Sequence, residues 1–179
     1  EKVAIVTVIY NPNINELKNN IDTYYKQADL VILVDNSTSQ QISTLLIDKF
    51  NQYNNLHIIT LGNNYGIAYA QNIGIKYGIE KKCNFFIEMD QDTTLPCGYV
   101  ENIYKAYQEL ISKGYKVGGI GPLAISKKNY AIYNDVKGVG DIIEVEKTLS
   151  SGFFYSIEVI EKIGLKNEDL FIDLVDWEW

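Results

Sequence analysis

FFIEMDQDTTL, residues Phe85 to Leu95, decides the fold. Apolar residues run into Glu88, and Asp90 and Asp92 then flank Gln91. The run, begun at Asn84, predicts a buried strand ending at Asp90. Along a strand, residues i and i+2 share a face, so two carboxylates at this spacing can converge where the chain turns away. Paired carboxylates at a strand exit suit a hard divalent cation such as Mg²⁺ or Mn²⁺, which also takes phosphate oxygens. The competing reading is a turn whose Asp residues cap a helix or sit in water.

Working outward, the same alternation recurs on both sides. VAIVTVIY (Val3 to Tyr10) is a near-continuous apolar run rich in β-branched residues, as in a strand covered on both faces. Ile14, Leu17, Ile21 and Tyr24 recur at helical spacing. LVILVD (Leu30 to Asp35) predicts a second strand, Ile42, Leu45, Leu46 and Phe50 a second helix, and LHIIT (Leu56 to Thr60) a third strand. A third helix is expected over about Ile67 to Tyr77. After the strand at Asn84 to Asp90, Val100, Ile103, Tyr104, Tyr107 and Ile111 outline a fourth helix ending near Gly114. KVGGIG (Lys116 to Gly121) reads as a short fifth strand. Beyond Pro122 the alternation fades. NYAIYNDV and DIIEVE read as strands of a small antiparallel patch, and SIEVIEKIG as a helix ending at Gly164.

Strands alternating with helices imply crossovers onto a mostly parallel α/β sheet with helices on both faces. Such sheets bind ligands outside the carboxyl ends of their strands. The residues to inspect are therefore Asn11, Asp35, Gly62 to Gly66, and Asp90 to Asp92.

Composition narrows the chemistry. The chain has 179 residues, 46% apolar, with three prolines, enough for one domain with a core. Its formal charge of -7 argues against a nucleic-acid partner. All sixteen cations are Lys, so a bound phosphate would be held by metal, backbone N–H groups or Lys rather than by a guanidinium fork. Cys83 and Cys97 lack metal-site spacing and read as free thiols of a reducing compartment. His57, the only histidine, lies in a strand and reads as structural, which disfavours Ser-His-Asp chemistry. No stretch has the ~20 apolar residues of a transmembrane span.

Three further segments carry candidate residues, each with a structural alternative. Asp35 in LVDNSTS could accept hydrogen bonds from a nucleobase or ribose, or could cap the next helix, a task Ser37 or Ser39 could also perform. LGNNYGIAYAQNIGIKYG repeats small residues at Gly66, Ala68, Ala70 and Gly74. Its turn could offer helix N-terminal N–H groups to a phosphate, or the small residues could serve close helix–sheet packing. LFIDLVDWEW holds Asp173, Asp176 and Glu178 among apolar residues, which suits a general base, or an amphipathic edge with solvated acids.

Taken in order, VAIVTVIYNPN, VDNSTS, GNNYGIAYAQNIGIKYG, EMDQDTTL, TLSSGFFYS and FIDLVDWEW resemble the family 2 glycosyltransferases, within them the bacterial rhamnosyltransferase-like branch. The resemblance implies a GT-A fold and one catalytic domain, with residues 1–121 as the nucleotide-sugar-binding half and 122–179 as an incomplete acceptor-side half. It implies that Asn11 and Asp35 surround the nucleobase and ribose, and that Asn64 and Gly66 help to seat the nucleotide. Asp90 and Asp92 would be the metal-binding DxD, with Asp92 the direct ligand and Asp90 also near the nucleotide sugar. Ser151 and Gly152 would shape the sugar and acceptor pocket. Asp176, with Asp173 as alternative, would be the catalytic base.

The implied activity is inverting, metal-assisted transfer of a sugar, with rhamnose the sugar of the branch, from a dTDP- or UDP-linked donor to a glycan or lipid-linked acceptor. The expected location is cytoplasmic, peripheral at the inner membrane face. The motif order also leads to the expectation that the chain is cut short after the base motif. Two other readings stay open: a nucleotidyltransferase acting on sugar phosphates, and a non-catalytic nucleotide- or glycan-binding domain. The stretch after the first strand, IYNPNINE, lacks the basic Gly-rich loop that nucleotidyl chemistry favours.

Overall fold

The computed structural model describes residues 1–123, 125–126, 128–129, 142–145, 147–172, 175 and 179. Strands β1 (Val3–Ile9), β2 (Leu30–Asp35), β3 (Leu56–Thr60) and β4 (Phe85–Asp90) alternate with helices α1 (Ile14–Asp22), α2 (Gln40–Phe50) and α3 (Ile67–Glu80). Helix α4 (Tyr99–Ser112) follows β4, and strand β5 (Phe154–Ser156) leads directly into α5 (Ile157–Ile163). The sheet order is β3-β2-β1-β4-β5. The first four strands are parallel, and β5 runs antiparallel to β4, pairing Phe85 with Ser156 and Ile87 with Phe154.

The apolar runs explain the layering. Val3, Ile5 and Ile9 of β1 join Leu33, Phe85 and Ile87 on one face, under Leu17 and Ile21 of α1, Leu46 and Phe50 of α2, and Val100 and Ile103 of α4. Ala4 and Val6 join Ile32, Val34, Phe86 and Tyr155 on the other face, under Ala70 and Ile75 of α3 and Ile160 of α5. Strands buried on both faces need such unbroken apolar runs. The small residues of α3 serve close packing: a Cβ on Gly74 would lie 2.4 Å from Val6 Cγ1 and 3.1 Å from Val34 Cγ2. His57 stacks on Tyr77 of α3, with ring centroids 4.3 Å apart. His57 is exposed on β3; partial desolvation against its neighbours, with Lys81 nearby, lowers its pKa.

Three expectations need correction. Lys116–Gly121 is not a strand: only Ile120 forms an antiparallel bridge, to Phe154, with both backbone bonds at 2.8 Å. Gly118, Gly119 and Gly121 bring no side chains to bury. The fifth position goes to Phe154–Ser156, whose rings stack on β4: Phe154 on Phe85 at 5.1 Å and Tyr155 on Phe86 at 5.9 Å. Helix α1 also stops at Asp22. Tyr24 instead enters a 3-10 turn (Tyr25–Gln27), buried, with its hydroxyl 3.0 Å from that of Thr7. The antiparallel patch expected at NYAIYNDV lies outside the described residues apart from Asn129. The described part of DIIEVE, residues 142–145, is not strand. Among the described residues, no helix is long and apolar enough to cross a membrane.

Gly74→Val should destabilise the protein by about 1–3 kcal/mol, the usual cost of overpacking a core. A lowered urea midpoint with an unchanged slope would register it.

Candidate active site at the strand switch point

Strand order reverses beside β1. The chain winds from β1 to β2 to β3 on one side and then returns to place β4 on the other. At such a switch point the loops leaving the two central strands diverge and open a crevice. Val8 and Asp90 form the last register pair of β1 and β4, so Tyr10 and Asn11 leave one strand beside the exit of Asp90, Gln91 and Asp92 from the other.

The β2 side of the crevice is a hydrogen-bonded network. Asp35 is fully buried. Its Oδ1 accepts the Ser37 N–H at 3.0 Å, and its Oδ2 accepts the Ser43 hydroxyl of α2 at 2.6 Å. Each oxygen retains a second lone pair. Ser37 Oγ in turn accepts the Asn11 N–H at 2.8 Å, holding Asn11 at a φ of 45°. Asp35 and Asn11 are thus linked through Ser37, while Ser39 occupies the N-cap of α2 without a side-chain bond. Asn36 ties this corner to α3: its Nδ2 donates to Asn64 Oδ1 at 2.9 Å and to the Gly66 carbonyl at 3.3 Å, and its Oδ1 accepts the Tyr65 N–H.

The sequence left the N-terminus of α3 open between a phosphate-facing turn and close helix–sheet packing. The Ile67 N–H donates to the Phe171 carbonyl at 2.8 Å. Gly66 has a φ of +88°, and a Cβ there would lie 2.6 Å from that same carbonyl. The glycine is required both by its backbone conformation and by the approach of the C-terminal segment. That segment caps the helix.

On the β4 side, the Asp90 N–H donates to Ser151 Oγ at 3.2 Å, and the Gly152 N–H donates to the Glu88 carbonyl at 2.7 Å. Gly152, at a φ of +87°, also offers its carbonyl to the Tyr99 hydroxyl at 2.7 Å. Ser151 and Gly152 therefore lie against the strand that carries the acidic pair. Asp90 is partly buried and Asp92 is exposed. Among the described residues, no group of three or more His, Cys, Asp or Glu side chains is arranged to hold a metal. Asp173 and Asp176 lie outside the described residues.

Beneath Asp90, alternation along β4 turns Glu88 toward α3. Its Oε1 accepts the Tyr155 hydroxyl at 2.8 Å, its Oε2 accepts Gln71 Nε2 at 3.1 Å, and Lys166 Nζ lies 3.3 Å from Oε2. The Glu88 and Lys166 side chains are 1% and 2% exposed. Burial, with the charge of Glu88 beside it, pushes the Tyr155 hydroxyl well above the usual phenol range, so it stays protonated as a donor. Asn72 clamps the backbone of Lys166 from both sides, at 3.0 and 2.9 Å. Lys166 Nζ also lies 4.5 Å from the ring centroid of Trp179, whose Nε1 donates to the Gly164 carbonyl. None of Asn36, Gln71, Asn72 or Lys166 stood out in the sequence as a site residue, and Gln91 fell in the inspected stretch only as the residue between two carboxylates. Gln91 and Asn36 sit inside the motifs, but Lys166 carries no local signal.

The parallel sheet with one antiparallel strand at its edge, its strand order reversing beside β1, is the GT-A architecture. Solved structures with this fold include GalNAc-T7 with UDP, GalNAc and Mn²⁺ (TM-score 0.73, 13% identity, 99% of this chain and 39% of that one). They also include TarS of S. aureus in complex with UDP (TM-score 0.66, 18% identity, 99% and 53%). The Glycosyl transferase family 2 model matches residues 4–118, and the chain belongs to that family. The dTDP-rhamnosyl transferase RfbF of Shigella flexneri is 34% identical over 188 residues, covering 99% of this chain. The chain spans 61% of that relative's length.

Lys166→Met should cost about 3–5 kcal/mol, because it leaves the buried Glu88 carboxylate without its cation. Adding Glu88→Gln should restore most of that loss in chemical denaturation. Additive losses from the two changes would show that the pair is not coupled.

Proposed function

We propose that the protein is an inverting glycosyltransferase that moves a sugar from a nucleotide diphospho-sugar to a hydroxyl of a glycan or lipid-linked glycan. The observation that carries this reading is the exit of Asp90 and Asp92 from β4 at the switch point, beside the Tyr10–Asn11 loop, in a chain of family 2. The relative's dTDP-rhamnosyl name favours dTDP-rhamnose as the donor. Residues 1–121 form the donor half in this reading, and 122–179 belong to the acceptor side. A lipid-linked acceptor would put the work at the inner face of the cytoplasmic membrane.

The donor set at the β4 exit fits Mg²⁺ or Mn²⁺. It consists of hard carboxylate oxygens, and two of them suffice for ions that complete their shell with water and phosphate oxygens. Asp92 would ligate directly and Asp90 would support it. The ion supplies charge neutralisation for the departing diphosphate. Asn11 and the corner organised by Asp35 flank the nucleobase and ribose, Asn64 and Gly66 shape the floor, and Ser151 and Gly152 border the sugar. Asp176 accepts the proton of the acceptor hydroxyl, with Asp173 the alternative base. The acceptor oxygen attacks the anomeric carbon on the face opposite the diphosphate. The bond to the diphosphate breaks with inversion, and a nucleoside diphosphate leaves.

Two measurements test the assignment. In calorimetry, dTDP or UDP should bind more tightly with Mn²⁺ present, and Asp92→Ala should remove that gain; a gain that persists would count against the metal assignment. In the full-length protein, Asp176→Asn should lower transfer by about 10²–10⁴-fold with donor binding retained. Unchanged turnover would exclude Asp176 as the base, and release of pyrophosphate in place of nucleoside diphosphate would point to nucleotidyl chemistry.

A further inference from the structure

We infer that Gln91 is a positioning residue that couples the nucleoside side of the crevice to the acidic pair, an inference that rests on the donor-site reading above. Gln91 lies between Asp90 and Asp92 in the chain, and its side chain spans the switch point. Its Oε1 accepts the Tyr10 N–H at 2.8 Å, and its Nε2 donates to the Tyr10 carbonyl at 3.3 Å. Its own carbonyl accepts Asn20 Nδ2 of α1 at 3.0 Å.

The primary amide reads both backbone groups of one residue, as a neighbouring strand would. It therefore extends the β1–β4 pairing past Val8 and Asp90, where backbone pairing ends. Among uncharged side chains of this length, glutamine supplies the donor and the acceptor together. Asn11, the next residue, is fastened from the β2 side by Ser37. The Tyr10–Asn11 loop is thus pinned from both flanking strands, and on the β4 side the pin is the residue between the two carboxylates. A ligand that orders this loop then orders the backbone of Asp90 and Asp92, and a cation held by those carboxylates orders the loop. Linkage of this kind is reciprocal.

The test uses the full-length protein. Nucleotide (dTDP and UDP) is titrated calorimetrically with and without Mn²⁺, and Mn²⁺ is titrated alone, for the unmodified protein and for Gln91→Met, which keeps the length but removes both hydrogen bonds. The expected result is an affinity gain from Mn²⁺ that falls about tenfold in the variant, a typical size for site coupling. Metal-free nucleotide affinity should change less, and the thermal midpoint should move little. A purely structural role would shift the midpoint and leave the gain from Mn²⁺ intact, and that result overturns the inference. Gln91→Asn keeps the amide but is one methylene too short to span to Tyr10; it serves if the Met variant does not fold, and the same fall is expected. If the unmodified protein shows no gain from Mn²⁺, the donor-site reading itself fails, a result visible before any variant is compared.

Discussion

The buried carboxylate of Glu88 is the constraint around which this end of the molecule is organised. It sits within the central sheet, on a strand whose other residues up to Met89 are apolar, facing the layer of α3. A carboxylate there is tolerated only with a cation and hydrogen-bond donors around it. The donors come from elements remote in sequence: Tyr155 from β5, Gln71 from α3 and Lys166 from the segment after α5. The charge therefore selects one docking of the edge strand, one rotation of α3 and one path for the C-terminal segment. Apolar contacts alone would discriminate less sharply among neighbouring packings, because a one-residue slip of β5 would bury a different set of aromatic rings yet still bury rings.

The site inherits this rigidity. Glu88 and Asp90 are two residues apart on one strand, and the backbone of Glu88 bonds to Gly152 and Phe153 just as the Asp90 N–H bonds to Ser151. The turn before β5 is thereby stitched to the exit of β4. The segment anchored by Lys166 runs on to Phe171, whose carbonyl caps α3 above Gly66, and to Val175, which is buried. The acidic residues proposed to work on the acceptor follow or bracket these anchor points in the chain.

Much of the frame was legible because it is written in periodicity. β1, β2 and β4 are unbroken apolar runs, α1 and α4 carry clean helical spacing, and the DxD follows a strand whose end could be located. The fifth strand was misplaced because a three-residue strand is too short to show a period, and glycine-rich KVGGIG mimicked a strand between turns. The aromatic run of SSGFFYS drew attention as a pocket motif rather than as an edge strand. The least legible features were polar partnerships across long stretches of chain. Lys166 finds Glu88 78 residues away, and Gln91 reaches back 81 residues to Tyr10. No spacing rule encodes such pairs, because they exist only once the sheet order has brought the elements together. Asp35 shows the same limit: the sequence offers it as a ligand contact or a helix cap, and its bonds to the Ser37 N–H and the Ser43 hydroxyl become visible only in the fold.

One stretch also shows how position along a strand sorts acids of the same chemistry. Glu88, Asp90 and Asp92 recur at every second residue, yet their surroundings run from fully buried through partly buried to exposed. Deep in the sheet, desolvation makes a naked carboxylate costly, so Glu88 is matched with a resident lysine. At the exposed end a carboxylate avoids that desolvation cost, and its hard oxygens suit a divalent cation. Asp90 stands at the boundary, where the last register pair fixes its backbone while its side chain is only partly buried. A ligand site needs that combination of a fixed backbone and an accessible charge. A strand that runs from the core to its end at Asp90, followed at once by the turn that carries Asp92, provides it.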